Sequence, residues 1–381
     1  MGPKHIMNTY IIAEAGVNHN GSAELAHQLV DAAADAGVDA VKFQTFIAMD
    51  MTTETVAKAE YQDLNCTKKE TQYEMLSRLE LDHDLHHELK KHAEERQIDF
   101  LSTAFDNSSL KFLTSDLSLG TMKISSGELT NHPFLLAHAK TGSSLILSTG
   151  MATVSEIEDA LAVIVFGFLS YEKSVGQDLD GSPIDTVKPS AKIFKQAFDT
   201  ELGQKLLKQK LTLLHCTSEY PTSLDNVNLR AMQFLGERFK VSVGYSDHTL
   251  GVEIASLAVA AGAVVLEKHF TLDRGMSGPD HAMSLSPEDL TAYVEAARVA
   301  ERVMGVSNKC PTNIELENRV VARKVIVATR SIAENETLTE SNVGLKRGGE
   351  GLEPNKYWDV LGKRAAKPIQ QDIAITDSLI E

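Results

Sequence analysis

A chain of 381 residues, 43% of them hydrophobic, is long enough for a barrel-sized core of about 250–300 residues and a small appendage. Its net charge of −16 argues against nucleic acid or an anionic membrane as a partner, though a few pocket lysines can still hold a small anion. No apolar run approaches the roughly 20 residues that cross a bilayer, the N-terminus has no signal-type apolar region, and three cysteines (Cys66, Cys216, Cys310) suggest no disulfide framework, so a cytoplasmic location is expected.

Tyr10–Glu14 is a short apolar run ending in a carboxylate, followed by the glycine- and asparagine-rich turn Ala15–Gly21. Ser22 caps a helix predicted to reach about Ala36, where Gly37 stops it. The next strand, Val38–Gln44, ends in Lys42 and Gln44. Residues 46–80 form a long polar connection, a length that suggests a functional loop or lid. A helix near Asp84–Arg96, a strand Ile98–Thr103, a short helix Asn107–Leu113 and a strand-to-turn stretch Thr121–Glu128 follow. Helix Pro133–Ala139 leads to the strand Ser144–Gly150, and Thr153 opens an acidic helix to about Val165. Residues 168–200 break the rhythm with Gly176, Asp178, Gly181, Pro183 and Pro189, and read as an irregular surface insertion. The rhythm resumes with Leu211–Ser218, helix Leu224–Leu235, strand Val243–Ser246, helix Gly251–Ala261, strand Ala263–His269 and a last helix Pro287–Met304.

Eight strand-like runs alternating with helices imply βαβ units around a parallel sheet. An open doubly wound sheet competes with a closed (β/α)8 TIM barrel. The barrel is favoured because nearly every run ends in polar residues: Glu14, Lys42, Thr103, Lys123 with Ser126, Ser218, Ser246 with His248, and His269. A barrel brings those C-terminal ends to one face, where active sites lie; an open sheet spreads them along an edge. The barrel is expected over 1–305, a linker over 306–320 and a small separate domain over 321–381, which reads as short strands and turns.

His248 and His269 each close a strand, and one helix joins those strands, so the two imidazoles can meet at one divalent cation. Two nitrogen ligands with open positions suit an ion such as Mn²⁺, with Mg²⁺ or Co²⁺ as other candidates. His5, His27, His83, His86, His87, His92, His132 and His138 are read as structural or solvated. Lys42 and Lys123 end buried strands and need anionic partners, either a ligand or Glu14 or Glu128 across the mouth. With Thr103, Ser126, Ser218 and Ser246 they describe a cradle for a phosphate or carboxylate. Glu14, Asp247 and Asp280 are candidate acid–base groups. Cys216 beside His215 is not a nucleophile–base pair, because strand neighbours point to opposite faces. There is no Walker loop and no dinucleotide fingerprint.

The segments Ile12–Gly21, Val41–Gln44, Leu101–Phe105, Lys123–Glu128, His215–Pro221, Gly244–Thr249 and Glu267–Phe270 together resemble the bacterial sialic acid synthase family. The small domain is similar to the antifreeze-like SAF domain of those enzymes. Within the family, Cys216–Pro221 and Phe270–Arg274 are most similar to the N,N′-diacetyllegionaminate branch. The resemblance implies a transferase that condenses phosphoenolpyruvate with an N-acylated mannosamine-type sugar. It implies that Lys42, Thr103, Lys123, Ser126, Ser218 and Ser246 hold phosphoenolpyruvate, that His248 and His269 hold Mn²⁺, and that Glu14 handles a proton at the new hydroxyl. Gln44, Tyr220 and Asp280 would contact the sugar, and Arg347 would reach its acyl group across a domain-swapped homodimer. Ser218 stands where relatives often carry asparagine, and Lys346-Arg347-Gly348 lacks a proline common after this arginine. N-acetylneuraminate synthesis from N-acetylmannosamine, a metal hydrolase on the same barrel, and a non-catalytic sugar- or ice-binding protein are the alternatives.

Overall fold

The computed structural model describes residues 8–56, 70–175 and 188–381. Eight parallel strands close into a barrel: β1 Tyr10–Gly16, β2 Ala40–Thr45, β3 Asp99–Ala104, β4 Thr121–Ile124, β5 Ser144–Ser148, β6 Leu211–His215, β7 Ser242–Asp247 and β8 Val265–His269. The seam is the pairing of β1 with β8, where Glu14 lies opposite His269 on one side and Lys42 of β2 on the other. The open doubly wound alternative is thereby excluded.

The strand period of two sets what each face carries. Outward residues such as Ile11, Ala13, Val41, Phe43, Met122, Leu145, Leu213 and Leu266 are buried in the main core between barrel and helices. Inward residues form a separate apolar plug of Ile12, Ala40, Leu101, Ile146, Leu214 and Val265. Two residues further along those same strands and their ends stand Glu14, Lys42, Thr103, Ser148, Cys216 and Glu267. The barrel interior is thus an apolar layer with a polar layer one pleat above it. Gly244 fits the lower layer because a Cβ there would meet the Val265 carbonyl oxygen at 2.3 Å.

Among its described residues the expected irregular insertion is largely helical. The helix opened by Thr153 runs to Ser174, well past Val165, and a second helix spans Ala191–Phe198. Val163, Ile164, Val165, Phe166, Phe168 and Leu169 are buried, and that burial outweighs the glycine at 167. Gly167 is itself needed, since a Cβ there would lie 2.4 Å from the Ala139 Cβ. Gly176, Asp178, Gly181 and Pro183 lie outside the described residues. So does the middle of the 46–80 connection, whose described parts carry the helices Ala48–Met51 and Gln72–Leu79.

The first compact unit ends at Gly305 and the second begins at Val306. Residues expected as linker enter an exposed helix, Asn313–Ala322, opened by a capping box of Thr312 and Glu315. The second unit pairs β9 Lys324–Ala328 antiparallel with β10 Val343–Arg347 over its own core of Ile326, Ile332, Leu338, Val343, Ile369 and Ile375. Among the described residues no helix is long and apolar enough to cross a membrane.

Candidate active site

A cavity of about 390 Å³ opens at the C-terminal ends of the barrel strands. It is lined by Glu14, Lys42, Gln44, Thr103, Lys123, Ser126, Ser218, Tyr220, Ser246, His248, His269 and Asp280, so twelve of the fourteen candidate residues expected from sequence converge there. Arg347 ends β10 in the second unit and is exposed, and Asp247 does not line the cavity because it is buried against Lys268, 3.0 Å from its Nζ.

The floor is a buried charge cluster. Lys42 Nζ sits 2.5 Å from Glu14 Oε2 and 3.5 Å from Glu267 Oε2, and donates to Thr103 Oγ1 at 3.0 Å. Lys123 is less well matched: it donates to the Ile124 carbonyl at 3.2 Å and has Glu267 Oε1 at 3.6 Å. Glu128 is not the partner of either lysine; it accepts instead from Asn131 Nδ2 at 2.7 Å. Burial and the nearby Lys42 charge together push the Lys123 ammonium below the usual lysine range. Burial also tends to discharge Lys42, but Glu14 and Glu267 outweigh it and hold its pKa up. The carboxylates split. Burial raises Glu14, with Lys42 opposing and Glu267 adding to the rise. Burial would raise Glu267 as well, but Lys123, Lys42 and a 2.8 Å hydrogen bond from Ser246 hold it down to about 2.

Glu267 was missed as a site residue, although a signal existed. It lies two positions before His269 on one strand, so a histidine that faces the cavity requires Glu267 to face it too. Cys216 was set aside as a nucleophile, and β6 supports that reading. His215 turns away, its Nε2 pairing with the Val227 carbonyl at 2.9 Å, while Cys216 faces the cavity with Sγ 3.2 Å from Ser126 Oγ. Gly150 was missed entirely. A Cβ there would lie 2.4 Å from Ser218 Oγ and 2.9 Å from Ser126 Oγ, so a larger residue would have to turn those hydroxyls away from each other. Its N–H donates to Ser126 Oγ at 3.0 Å.

The two histidines fit a divalent cation. A carbonyl can only accept, so His248 Nδ1 donates to the Thr217 carbonyl (2.7 Å) and Nε2 keeps its lone pair. His269 Nδ1 is buried without a hydrogen-bond partner. The ring centroids stand 5.7 Å apart, and Tyr220 packs on His248 at 4.2 Å. Burial keeps both rings neutral, His269 well below the usual range with His248 adding to the effect. Among the described residues no group of three or more His, Cys, Asp or Glu side chains stands at ligand spacing. Two imidazoles from the protein would therefore be completed by water or substrate oxygen.

Glu14 Oε1 accepts from Gln44 Nε2 at 3.3 Å, and both, with Asp280 Oδ2, surround the position a Gly16 Cβ would take. The loop bearing Asp280 is tied to the loop after β1. Asn18 Nδ2 donates to the Phe270 carbonyl (2.8 Å) and to Ser284 Oγ (3.0 Å), and Ser284 Oγ donates to the Asp280 carbonyl (2.6 Å). Burial, with Glu14 adding, pushes the Asp280 carboxyl from its ordinary 3.8 up to about 7. The folded state therefore holds a proton that the unfolded chain releases. That contribution to stability is complete below about pH 4 and is lost as pH rises to about 7. Asp280→Asn should accordingly gain stability relative to wild type across that window and change no further above it. Denaturant midpoints at stepped pH measure this, and a pH-independent difference would rule it out.

The model of the NeuB family matches residues 29–309. The chain belongs to the NeuB family. A SAF domain follows over residues 323–381. Among curated NeuB relatives, the chain is 42% identical to the N,N′-diacetyllegionaminic acid synthase of Legionella pneumophila, over 94% of this chain and 90% of that one. It is also 42% identical to the enzyme of the same name from Campylobacter jejuni, over 97% and 99% of the two chains. Among solved structures it is similar to the sialic acid synthetase of Leptospira borgpetersenii, crystallised with citrate, at 30% identity and TM-score 0.63 over 82% of this chain and 92% of that one.

Proposed function

We propose that the chain condenses phosphoenolpyruvate with 2,4-diacetamido-2,4,6-trideoxymannose to give N,N′-diacetyllegionaminate and inorganic phosphate. The observation that carries this reading is the pairing, in one cavity, of two buried lysines with two neutral imidazoles. The 42% identity to two synthases of that name supports the choice of sugar.

Lys42, Thr103, Lys123, Ser126, Ser218 and Ser246 bind phosphoenolpyruvate. Lys123 has the weakest protein partners of the cluster, so an incoming phosphate or carboxylate completes it and favours its charged form. His248 and His269 hold a divalent cation, with Mn²⁺ the expected ion, which when bound supplies Lewis-acid polarisation of the sugar's C1 aldehyde. Glu14 delivers a proton to the C1 oxygen as C3 of phosphoenolpyruvate bonds to C1, consistent with a carboxyl whose pKa burial raises. Water adds at C2, and loss of phosphate from that carbon leaves the 2-keto acid. Gln44, Tyr220 and Asp280 orient the sugar. Arg347 is supplied by a partner copy in a domain-swapped homodimer.

Phosphate release should require phosphoenolpyruvate, the sugar and a divalent ion together. Release that a chelator leaves unchanged would remove the metal role. A side-by-side assay with N-acetylmannosamine decides between the legionaminate and neuraminate reactions, and release with neither sugar would overturn the proposal.

A further inference from the structure

The cavity has two unlike sides. The lysines, hydroxyls and imidazoles form one. The other is carbon: Val17 after β1, Met51, Met75, Leu76 and Leu79 from the β2–β3 connection, and Phe105 after β3. These six belong to one contiguous cluster with Phe46 and Ala48. We propose that this wall selects the sugar: it takes the deoxygenated C6 and acyl methyls of an N-acylated 6-deoxy sugar and rejects hexosamines that keep hydroxyls at C4 and C6. The inference rests on the reaction proposed above and adds the residues that choose between its substrates.

The wall is built in advance of the ligand. The helix Gln72–Leu79 is opened by a capping box of Thr71 and Glu74, and its spacing turns Met75, Leu76 and Leu79 inward while Glu74, Ser77 and Arg78 face solvent. Its end seats against the β1 loop, where a Cβ on Gly21 (φ +75°) would lie 2.5 Å from the Arg78 carbonyl oxygen. The neighbouring turn is held by Glu80, which accepts from Ala48 N at 2.5 Å, and by Asp106, which accepts from Ile47 N at 2.9 Å. A preformed apolar surface with braced ends selects by fit.

Chemistry then decides what lies against it. A hydroxyl pressed onto Leu76 and Phe105 gives up water and finds no partner there, whereas a methyl is released from water. The amide at the edge of the wall is Gln72, whose Oε1 accepts from Thr52 Oγ1 at 3.1 Å. That contact fixes the side chain where it can exchange hydrogen bonds with an acetamido group. A second acetamido in place of a hydroxyl therefore suits this edge, and a carbon-rich C6 suits the wall. A hydrophobic pocket discriminates against an added hydroxyl by roughly 10²-fold in kcat/KM.

The test is kcat/KM of the wild-type enzyme for 2,4-diacetamido-2,4,6-trideoxymannose, for its 6-hydroxy counterpart and for N-acetylmannosamine. The same series is run on Leu76→Gln, Met75→Gln and the control Met49→Gln. Met49 is exposed on the same connection and does not line the cavity. Wild type should favour the 6-deoxy sugar over its 6-hydroxy counterpart by about 10²-fold. The two wall variants should narrow that ratio at least tenfold, mainly by losing the 6-deoxy substrate, while the KM for phosphoenolpyruvate holds and Met49→Gln keeps the wild-type ratio. Activity with no sugar would overturn the reaction itself. Activity with the 6-deoxy sugar but no preference over its 6-hydroxy form would overturn the wall alone, and it needs no variant to fold.

Discussion

Glu14→Gln should lower turnover by about 10²- to 10⁴-fold, the range for loss of a positioned proton donor. Phosphoenolpyruvate should still bind within a few-fold of wild type. The split follows from the geometry. Glu14 lies between Lys42, 2.5 Å from its carboxylate and proposed above to hold the anion, and Gln44 and Asp280, proposed above to orient the sugar. Glutamine keeps the shape and leaves Lys42 with Glu267 and Thr103, so the proposed phosphoenolpyruvate side should survive. What it removes is a carboxyl whose pKa burial raises against the pull of Lys42. Stopped-time phosphate assays with a separate equilibrium binding measurement check it. Near-normal turnover would take Glu14 out of the mechanism, and loss of phosphoenolpyruvate binding would make it a structural partner of Lys42.

Asp247→Ala should destabilise the barrel by about 3–5 kcal/mol, the cost of breaking a buried ion pair from one side. Asp247 and Lys268 face each other across β7 and β8 on the side of the strands away from the cavity. Both are essentially excluded from solvent, with Nζ 3.0 Å from Oδ2 and over the Tyr293 ring at 5.5 Å. Asp247 also accepts from the N–H and hydroxyl of Thr249 and so ties down the turn that carries His248. Removing it strands a buried ammonium. The double change Asp247→Leu with Lys268→Met should recover most of the loss, because two matched carbons replace two matched charges. Chemical denaturation of the three proteins measures this. A single variant within about 1 kcal/mol of wild type would show the pair to be energetically idle.

The alternation of short apolar runs with helical patterns, and the polar residue at the end of nearly every run, are local properties of the chain. Both were legible in residues such as Glu14, Lys42, Thr103 and His269. They implied a closed barrel with its chemistry at one rim, because that topology alone brings such ends together. Strand periodicity even carried information that went unused: Glu267 follows from His269 by a step of two. The helical continuation through Ser174 was hidden because glycine and polar residues there read as a break, whereas burial against the neighbouring helix decides the outcome.

The two histidines, the lysines and the barrel that collects them were determined by sequence alone, since spacing along a strand dictates which face a side chain takes. Distances between segments far apart in the chain were decided only by tertiary structure. Folding makes Glu267 the common partner of both lysines, leaves Gly150 as the gap between Ser126 and Ser218, and sets Met75, Leu76 and Leu79 opposite the charged floor. No local pattern encodes such meetings. They arise when β1 closes on β8 and the described parts of the β2–β3 connection pack at the rim, because packing and burial there are properties of the assembled barrel.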